Sequence, residues 1–183
     1  MKRGEMVYLS AVERSDLMPL MKWRNQEAFK KHFREYREIN LELQERWYLK
    51  EAVDNPSTLM FAIRRKQDEE LLGCCGLCYI NWIQRHADLS LYIGYQDAYI
   101  DETGYAEESL SILFDYGFRQ LGLNKIWTEI YEFDDKKKAL YDRLGFQVDG
   151  ILRENYFYDG RWWNSCLLSL LQKEYRQDET ESR

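Results

Sequence analysis

The stretch Ala87-Asp88-Leu89-Ser90-Leu91-Tyr92-Ile93-Gly94, followed by Ile100-Asp101-Glu102-Thr103-Gly104-Tyr105-Ala106 and a run to Gly122, decides the fold. Its first part alternates small and apolar residues as a half-buried strand does. After the loop, Ala106, Leu110, Leu113, Phe114, Phe118 and Leu121 recur at three- and four-residue steps, which predicts one apolar stripe on a helix. Gly122 stops that helix. A loop that feeds a helix start offers free backbone N–H groups and the positive end of the dipole, a suitable place for a phosphate-bearing ligand.

On the N-terminal side, Met6 to Ala11 reads as a first strand, and Ser15 and Asp16 cap a short helix with Pro19 in its first turn and Trp23-Arg24-Asn25 at its end. A second helical region runs from about Gln26 to Val53, broken near Asn40 and ended by Pro56. Strand periodicity begins at Thr58. Leu59 to Arg65, the polar turn at Gln67 to Glu70, and Leu71 to Asn81 form a hairpin, and Gln84-Arg85-His86 turns into the Ala87 strand. On the C-terminal side, Lys125 to Tyr131 is a strand reached by a crossover, which implies pairing parallel, or nearly so, to the Ala87 strand. A helix from Asp134 or Asp135 to Leu144, stopped by Gly145, precedes a last hairpin, Phe146 to Tyr158 and Trp162 to Leu171, turned at Asp159-Gly160. The predicted class is mixed α/β: a mainly antiparallel central sheet flanked by helices on both faces. Its cleft lies where the antiparallel part meets the crossover strand.

Composition bounds the function. The 183 residues, 45% hydrophobic and 32% charged, fit one soluble domain, taken as residues 1–175, with a polar tail over 176–183. Apolar runs fall short of a membrane span, and Met1 to Ser10 shows no leader, so the expected compartment is the cytoplasm. The net charge of −6 argues against a nucleic-acid partner and is compatible with a cationic substrate, although surface acids also serve solubility alone. Cys75 and Cys78 make a Cys-x-x-Cys without a second pair or a near histidine, so no metal site is expected. Cys74, Cys75 and Cys78 read instead as small apolar residues of a buried strand.

Ordered motifs narrow the choice. Phe118-Arg119-Gln120-Leu121-Gly122-Leu123-Asn124-Lys125, Leu140-Tyr141-Asp142-Arg143-Leu144-Gly145-Phe146, Asp149-Gly150-Ile151-Leu152-Arg153-Glu154 and Tyr158-Asp159-Gly160 resemble the GNAT family of N-acetyltransferases. Trp23-Arg24-Asn25 and Ala87-Asp88 leading to Tyr92-Ile93-Gly94 fit the branch of ribosomal-protein alanine, spermidine and amino-sugar acetyltransferases. The resemblance runs from Met6 to Glu174. It implies acetyl transfer from acetyl-CoA, as cosubstrate, to a primary amine on a protein N-terminus, polyamine or amino sugar. It also implies a pyrophosphate loop at Asp101, Glu102, Thr103, Gly104, Tyr105 and Ala106, a pantetheine arm along Leu91, Tyr92, Ile93 and Gly94, and a general acid at Tyr141.

The chemistry asks for the same groups. Amine attack on a thioester needs a neutral nitrogen, a donor for the developing oxyanion and a proton for the departing thiolate. A phenol of pKa near ~10 suits the last role, though Tyr141 equally fits a core aromatic. Asp88 is the candidate to orient or deprotonate the amine, or an exposed edge residue; His86 beside it falls in a turn and His32 is less informative. No cysteine is placed to carry an acyl group, so transfer is direct.

The loop departs from the family pattern, with Asp101, Glu102 and Thr103 where basic or small residues are usual. Cosubstrate binding then depends on backbone N–H groups with the two carboxylates turned outward. Asp134 stands where the family has asparagine and Lys137 where it has a small residue. Lys137 is read as a cation reaching the CoA phosphates, or with Lys136 and Lys138 as a solvated face. The acidic loop motivates a competing reading, a ligand-binding domain of this fold with weak or no catalysis. Trp82, Tyr156, Tyr158, Trp162 and Trp163 could wall an acceptor pocket or pack a dimer, and Arg24 and Arg153 could meet a phosphorylated or carboxylated acceptor.

Overall fold

A computed structural model describes residues 4–175, so the tail at 176–183 lies outside the described residues. Seven strands, β1 Val7–Ala11, β2 Leu59–Arg65, β3 Leu71–Asn81, β4 His86–Ile93, β5 Lys125–Tyr131, β6 Gln147–Tyr158 and β7 Arg161–Leu171, form one open sheet in the order β1-β2-β3-β4-β5-β7-β6. Every pairing is antiparallel except β4 with β5, the crossover pair. The helices are α1 Leu17–Arg24, α2 Glu27–Lys30, α3 Leu41–Trp47, α4 Tyr105–Asp115 and α5 Asp135–Arg143. The mixed, mainly antiparallel sheet expected from the periodicities is the one observed.

The parallel seam is short. His86, Ala87 and Asp88 face Lys125, Ile126 and Trp127, and beyond them β4 and β5 part company. β5 stays bound to β7 along its whole length, from Lys125↔Leu171 to Tyr131↔Ser165, so the separation leaves one edge of β4 from Leu89 onward without a strand partner. That splay opens a cleft in the middle of the sheet.

Helix α4 is held as its stripe requires. Leu110, Leu113 and Phe114, with Phe118 on the wider helical turn Tyr116–Gln120 that continues α4, are buried to within 1% and contribute on the order of 1.5–3 kcal/mol each by leaving water. Gly104, at φ +102°, turns the loop into the helix through a left-handed conformation that a side chain would strain. Glu108 accepts hydrogen bonds from the Met6 and Val7 N–H groups at 2.9 and 2.8 Å, tying β1 to this helix. At the other end of β4, Gly94 lies so close to Trp23 that a Cβ there would stand 1.8 Å from the indole.

Two expectations are corrected. The region from Gln26 to Val53 is not helical up to Asn40: α2 has only four residues, and the chain then runs open to α3. The reason is a clamp, in which the Asn25 side chain donates to the Ile39 carbonyl at 2.7 Å and accepts from the Ile39 N–H at 2.9 Å. Asn40 then caps α3 through the Leu43 N–H at 2.9 Å. His86 is not a solvated turn residue but opens β4, with its Nδ1 buried and without a hydrogen-bond partner among the described residues.

Candidate active site

Asp88 is the last residue of the parallel seam and stands at the floor of the splay. Its carboxylate is 6% exposed and takes a 2.9 Å hydrogen bond from the Arg34 guanidinium, which also reaches Glu129 of β5 at 3.2 Å. Burial raises the Asp88 pKa above the ordinary carboxylate range, and the Arg34 ion pair offsets only part of that rise. It is therefore no exposed edge residue.

Helix α5 forms the opposite wall. Asp134 caps it by accepting from the Lys137 N–H at 3.2 Å, and the same carboxylate accepts from the Tyr99 hydroxyl at 3.1 Å and faces His32 Nδ1 at 3.0 Å. Burial pushes Asp134 up, but His32 and Lys137 outweigh it and hold its carboxyl below the usual range. His32 stacks on Tyr99 at 4.1 Å and Phe33 meets Tyr92 edge-on at 5.4 Å, so the turn after α2 packs into the far end of the splay.

Lys137 and Tyr141 lie one helical turn apart on α5 and both point inward. Lys137 is 8% exposed, with its ammonium 5.2 Å from the Tyr99 ring centroid. Burial lowers its pKa, and Asp134 and Asp88 recover only part of the loss. The lysine expected at the cosubstrate phosphates thus lies inside the cleft, because residue 137 falls on the inner face of α5; Lys136 and Lys138 are exposed. Tyr141 is fully buried against Phe146, its hydroxyl has no hydrogen-bond partner among the described residues, and burial drives its pKa well up. Thr128 of β5 lines the cleft, and its side chain, close to that hydroxyl, pulls the Tyr141 pKa the other way.

The loop before α4 holds the main departure from expectation. Asp101 is turned inward, not outward: it accepts from the Gly104, Tyr105 and Ala106 N–H groups, each at 2.8 Å. These are the donors that the family resemblance assigns to a pyrophosphate. A carboxylate four residues before a helix start gains both the free N–H groups and the dipole, more than solvent offers it. Glu102 and Thr103 are the exposed members of the loop. On β4, Leu91, Tyr92 and Ile93 are buried, and the Ile93 N–H donates to the Tyr99 carbonyl at 3.0 Å.

Between these walls is a cavity of about 770 Å³ lined by Asp88, Leu91, Thr128, Lys137, Arg24 and residues of the α2–α3 segment. The structure brings Asp88, Asp134, Lys137 and Tyr141 together, and holds the Asp101–Ala106 loop apart at the α4 start. Arg34, His32, Tyr99, Thr128 and Glu129 join the site although the sequence singled out none of them as site residues. Only the alignment of the charged turn Lys31 to Arg34 with the strand ends could have pointed to the first two. Arg153 is exposed on β6 and does not line the cavity. Of the aromatic group, Tyr156 stacks on Tyr131 at 3.7 Å, while Trp163 and Tyr158 pack on Phe133 at 5.0 and 5.7 Å. Trp82 is elsewhere, donating to the Pro56 carbonyl at 3.2 Å, and Trp162 is exposed beside Phe157. Cys74 and Cys75 are buried free thiols whose pKa values burial raises; the Cys78 thiol is pushed up to about 12.

Residues 9–167 match the family model for an acetyltransferase (GNAT) domain. The chain is 31% identical over 115 residues to the uncharacterized N-acetyltransferase p20 of Bacillus licheniformis, covering 63% of each chain, just under two thirds of that relative's length. It is 28% identical over 167 residues to a spermidine N(1)-acetyltransferase of Vibrio cholerae serotype O1, covering 91% of this chain and 94% of that one. A solved structure of the spermidine N-acetyltransferase of Vibrio cholerae, in complex with CoA and spermine, superposes with a TM-score of 0.85 at 26% identity over 94% of this chain and 99% of that one.

Proposed function

The chain belongs to the GNAT acetyltransferase family, and from that membership we propose that it carries an acetyl group from acetyl-CoA directly to a primary amine in the β4/β5 cleft. The observation that carries the reading is the Tyr141 hydroxyl, a buried donor without a hydrogen-bond partner among the described residues. Acetyl-CoA supplies the activated thioester. The residues present fit it, for the cleft offers an unpaired strand edge, an orphaned phenol and, at the α4 start, three N–H groups converging on one anion.

Tyr141 holds the proton that the leaving thiolate needs, at a site whose dryness keeps the phenol neutral until it is used. Asp88, with its raised pKa and Arg34 as orienter, takes the proton of the incoming ammonium, directly or through water. Leu91, Tyr92 and Ile93 present the strand edge to the pantetheine arm, and Asp134 fixes the α5 start beside it. Gly104, Tyr105 and Ala106 receive the pyrophosphate when Asp101 gives up their N–H groups, with Glu102 and Thr103 facing solvent. The same reading takes residues 1–175 as one catalytic domain acting in the cytoplasm. Among the described residues no helix is long and apolar enough to cross a membrane. A second copy of the chain is a further partner, for which the sheet edge at β6 exposes Val148, Ile151, Leu152 and Phe157. The polyamine named for the Vibrio cholerae protein and a protein N-terminus both fall within the acceptor class.

Thermal unfolding with acetyl-CoA and CoA tests the cosubstrate. A ligand at a hundredfold its Kd stabilises the protein by ~2.7 kcal/mol. A clear upward shift is expected, and none at millimolar acetyl-CoA would leave the weakly catalytic reading standing.

A further inference from the structure

The overall charge of −6 suggests a receptor for cations, but the cleft itself does not. Its walls carry six basic side chains and four acidic ones. All four acids are already engaged. Arg34 bridges Asp88 and Glu129 at 2.9 and 3.2 Å. Arg37 grips Glu35 at 2.8 and 2.7 Å, holding its pKa down to about 2, and Asn55 donates to Glu51 at 2.7 Å. A polycation entering here would have to share these carboxylates with the groups that already hold them.

Two cations have no such partner. Lys137 is more than nine-tenths buried and makes no direct ion pair among the described residues, Asp134 and Asp88 offsetting its burial only in part and from farther off. Arg24, at the end of α1, lies over the Phe33 ring at 4.6 Å with its Nε buried and without a hydrogen-bond partner among the described residues. Both line the same cavity, and each weighs against the other's charge. A buried cation whose charge is only partly compensated is unfavourable, so a ligand that supplies an anion beside it gains on binding.

We infer that Arg24 and Lys137 form an anion subsite for the acceptor, so that the preferred acceptor is a primary amine that also carries a carboxylate or phosphate, not a polyamine. This rests on the acetyltransferase reading and names the acceptor class within it. The amine of such a molecule reaches Asp88 while its anion meets the guanidinium and the ammonium. Arg34 stays on the two acids and leaves Arg24 and Lys137 to the ligand.

Matched acceptors test it by thiol release at saturating acetyl-CoA: glucosamine 6-phosphate against glucosamine, a peptide with an acidic second residue against its neutral twin, and spermidine as the polycation. The expected result is a kcat/KM at least about tenfold higher for the anionic member of each pair, with spermidine lowest. Arg24→Gln and Lys137→Met should each erase that preference while leaving the KM for acetyl-CoA unchanged, with folding checked by unfolding temperature and Arg24→Lys restoring part of the preference. Spermidine outperforming the anionic amines, or a preference indifferent to both substitutions, overturns the subsite while the acetyltransferase reading survives. A rise only in the acetyl-CoA KM overturns it in favour of a grip on the cosubstrate's phosphates. Absence of thiol release with every amine, together with absence of a thermal shift with CoA, removes the reading itself and the subsite with it.

Discussion

Two places in the molecule are built for a negative charge, and they differ in whether the chain has already provided one. At the start of α4, the Asp101 carboxylate fills the cradle of Gly104, Tyr105 and Ala106 N–H groups with three 2.8 Å hydrogen bonds. In the β4/β5 cleft, Arg24 Nε and the Tyr141 hydroxyl are buried without a hydrogen-bond partner among the described residues, and the buried Lys137 makes no direct ion pair among them, with Asp134 and Asp88 acting on it from farther off. The first place is satisfied and contributes to stability; its ligand must exchange for a group of the protein. The second is unsatisfied and costs stability, and a ligand entering it replaces nothing. Binding at the two should therefore respond in opposite directions to removal of the resident charge.

The largest effect on stability is expected in the cleft. Lys137→Met keeps the length of the side chain and removes a charge that burial disfavours, so it should raise the unfolding free energy by about 1–2 kcal/mol, read as an upward shift in Tm. The sign has a pH signature. Because the folded pKa of Lys137 is lowered, the unfolded chain binds more protons between that pKa and the ordinary lysine value of 10.5, and wild-type stability rises with pH across that window. The variant should lack this rise. A fall in Tm would break the comparison by showing that Lys137 is satisfied where it stands.

At the α4 cradle the sign reverses. Asp101→Ala removes the cap of three N–H groups and should cost ~1 kcal/mol of stability. It also removes a like charge from the pyrophosphate site, worth ~1 kcal/mol at close range in water, so the KM for acetyl-CoA should fall about fivefold. A variant that is less stable yet binds the cosubstrate more tightly is the outcome expected of a satisfied site. A weaker grip on acetyl-CoA would instead make Asp101 part of the binding surface.

The smallest effect is at the floor of the cleft. Asp88 has a folded pKa above 3.8, so the native state holds its proton longer than the unfolded chain does. Its contribution to stability is present below the unfolded value and lost as pH rises through the folded one. Asp88→Asn should flatten that part of the stability profile by less than about 1 kcal/mol and remove the acid limb of kcat/KM. An acid limb unchanged in the variant would assign the proton to another group.

The same contrast explains what could be read from the sequence. Strand and helix identities from Leu59 onward follow from local periodicity and turn chemistry: the Leu71–Asn81 strand, the α4 stripe, the Gly145 stop and the Asp159-Gly160 turn each depend on residues close in the chain. The cleft could be located in outline, because a crossover next to a hairpin forces a parallel seam beside antiparallel pairing. What was not legible depends on where side chains meet after folding. Arg34 reaches acids 54 and 95 residues away. His32 finds Tyr99 and Asp134 only once the Asn25 clamp has bent the chain. Asp101 was readable as an acid in a phosphate loop, but its inward turn is set by a loop path that no periodicity encodes.

The central claim is that the buried phenol beside the splay serves acetyl transfer. Steady-state thiol release from acetyl-CoA by the wild type and by Tyr141→Phe, with an amine that the wild type turns over, tests it most directly. The expected result is a kcat lower by roughly a hundredfold in the variant, the low end of general acid catalysis, with the KM for acetyl-CoA and the Tm nearly unchanged. Equal kcat in the two proteins would contradict the account and leave Tyr141 a core aromatic.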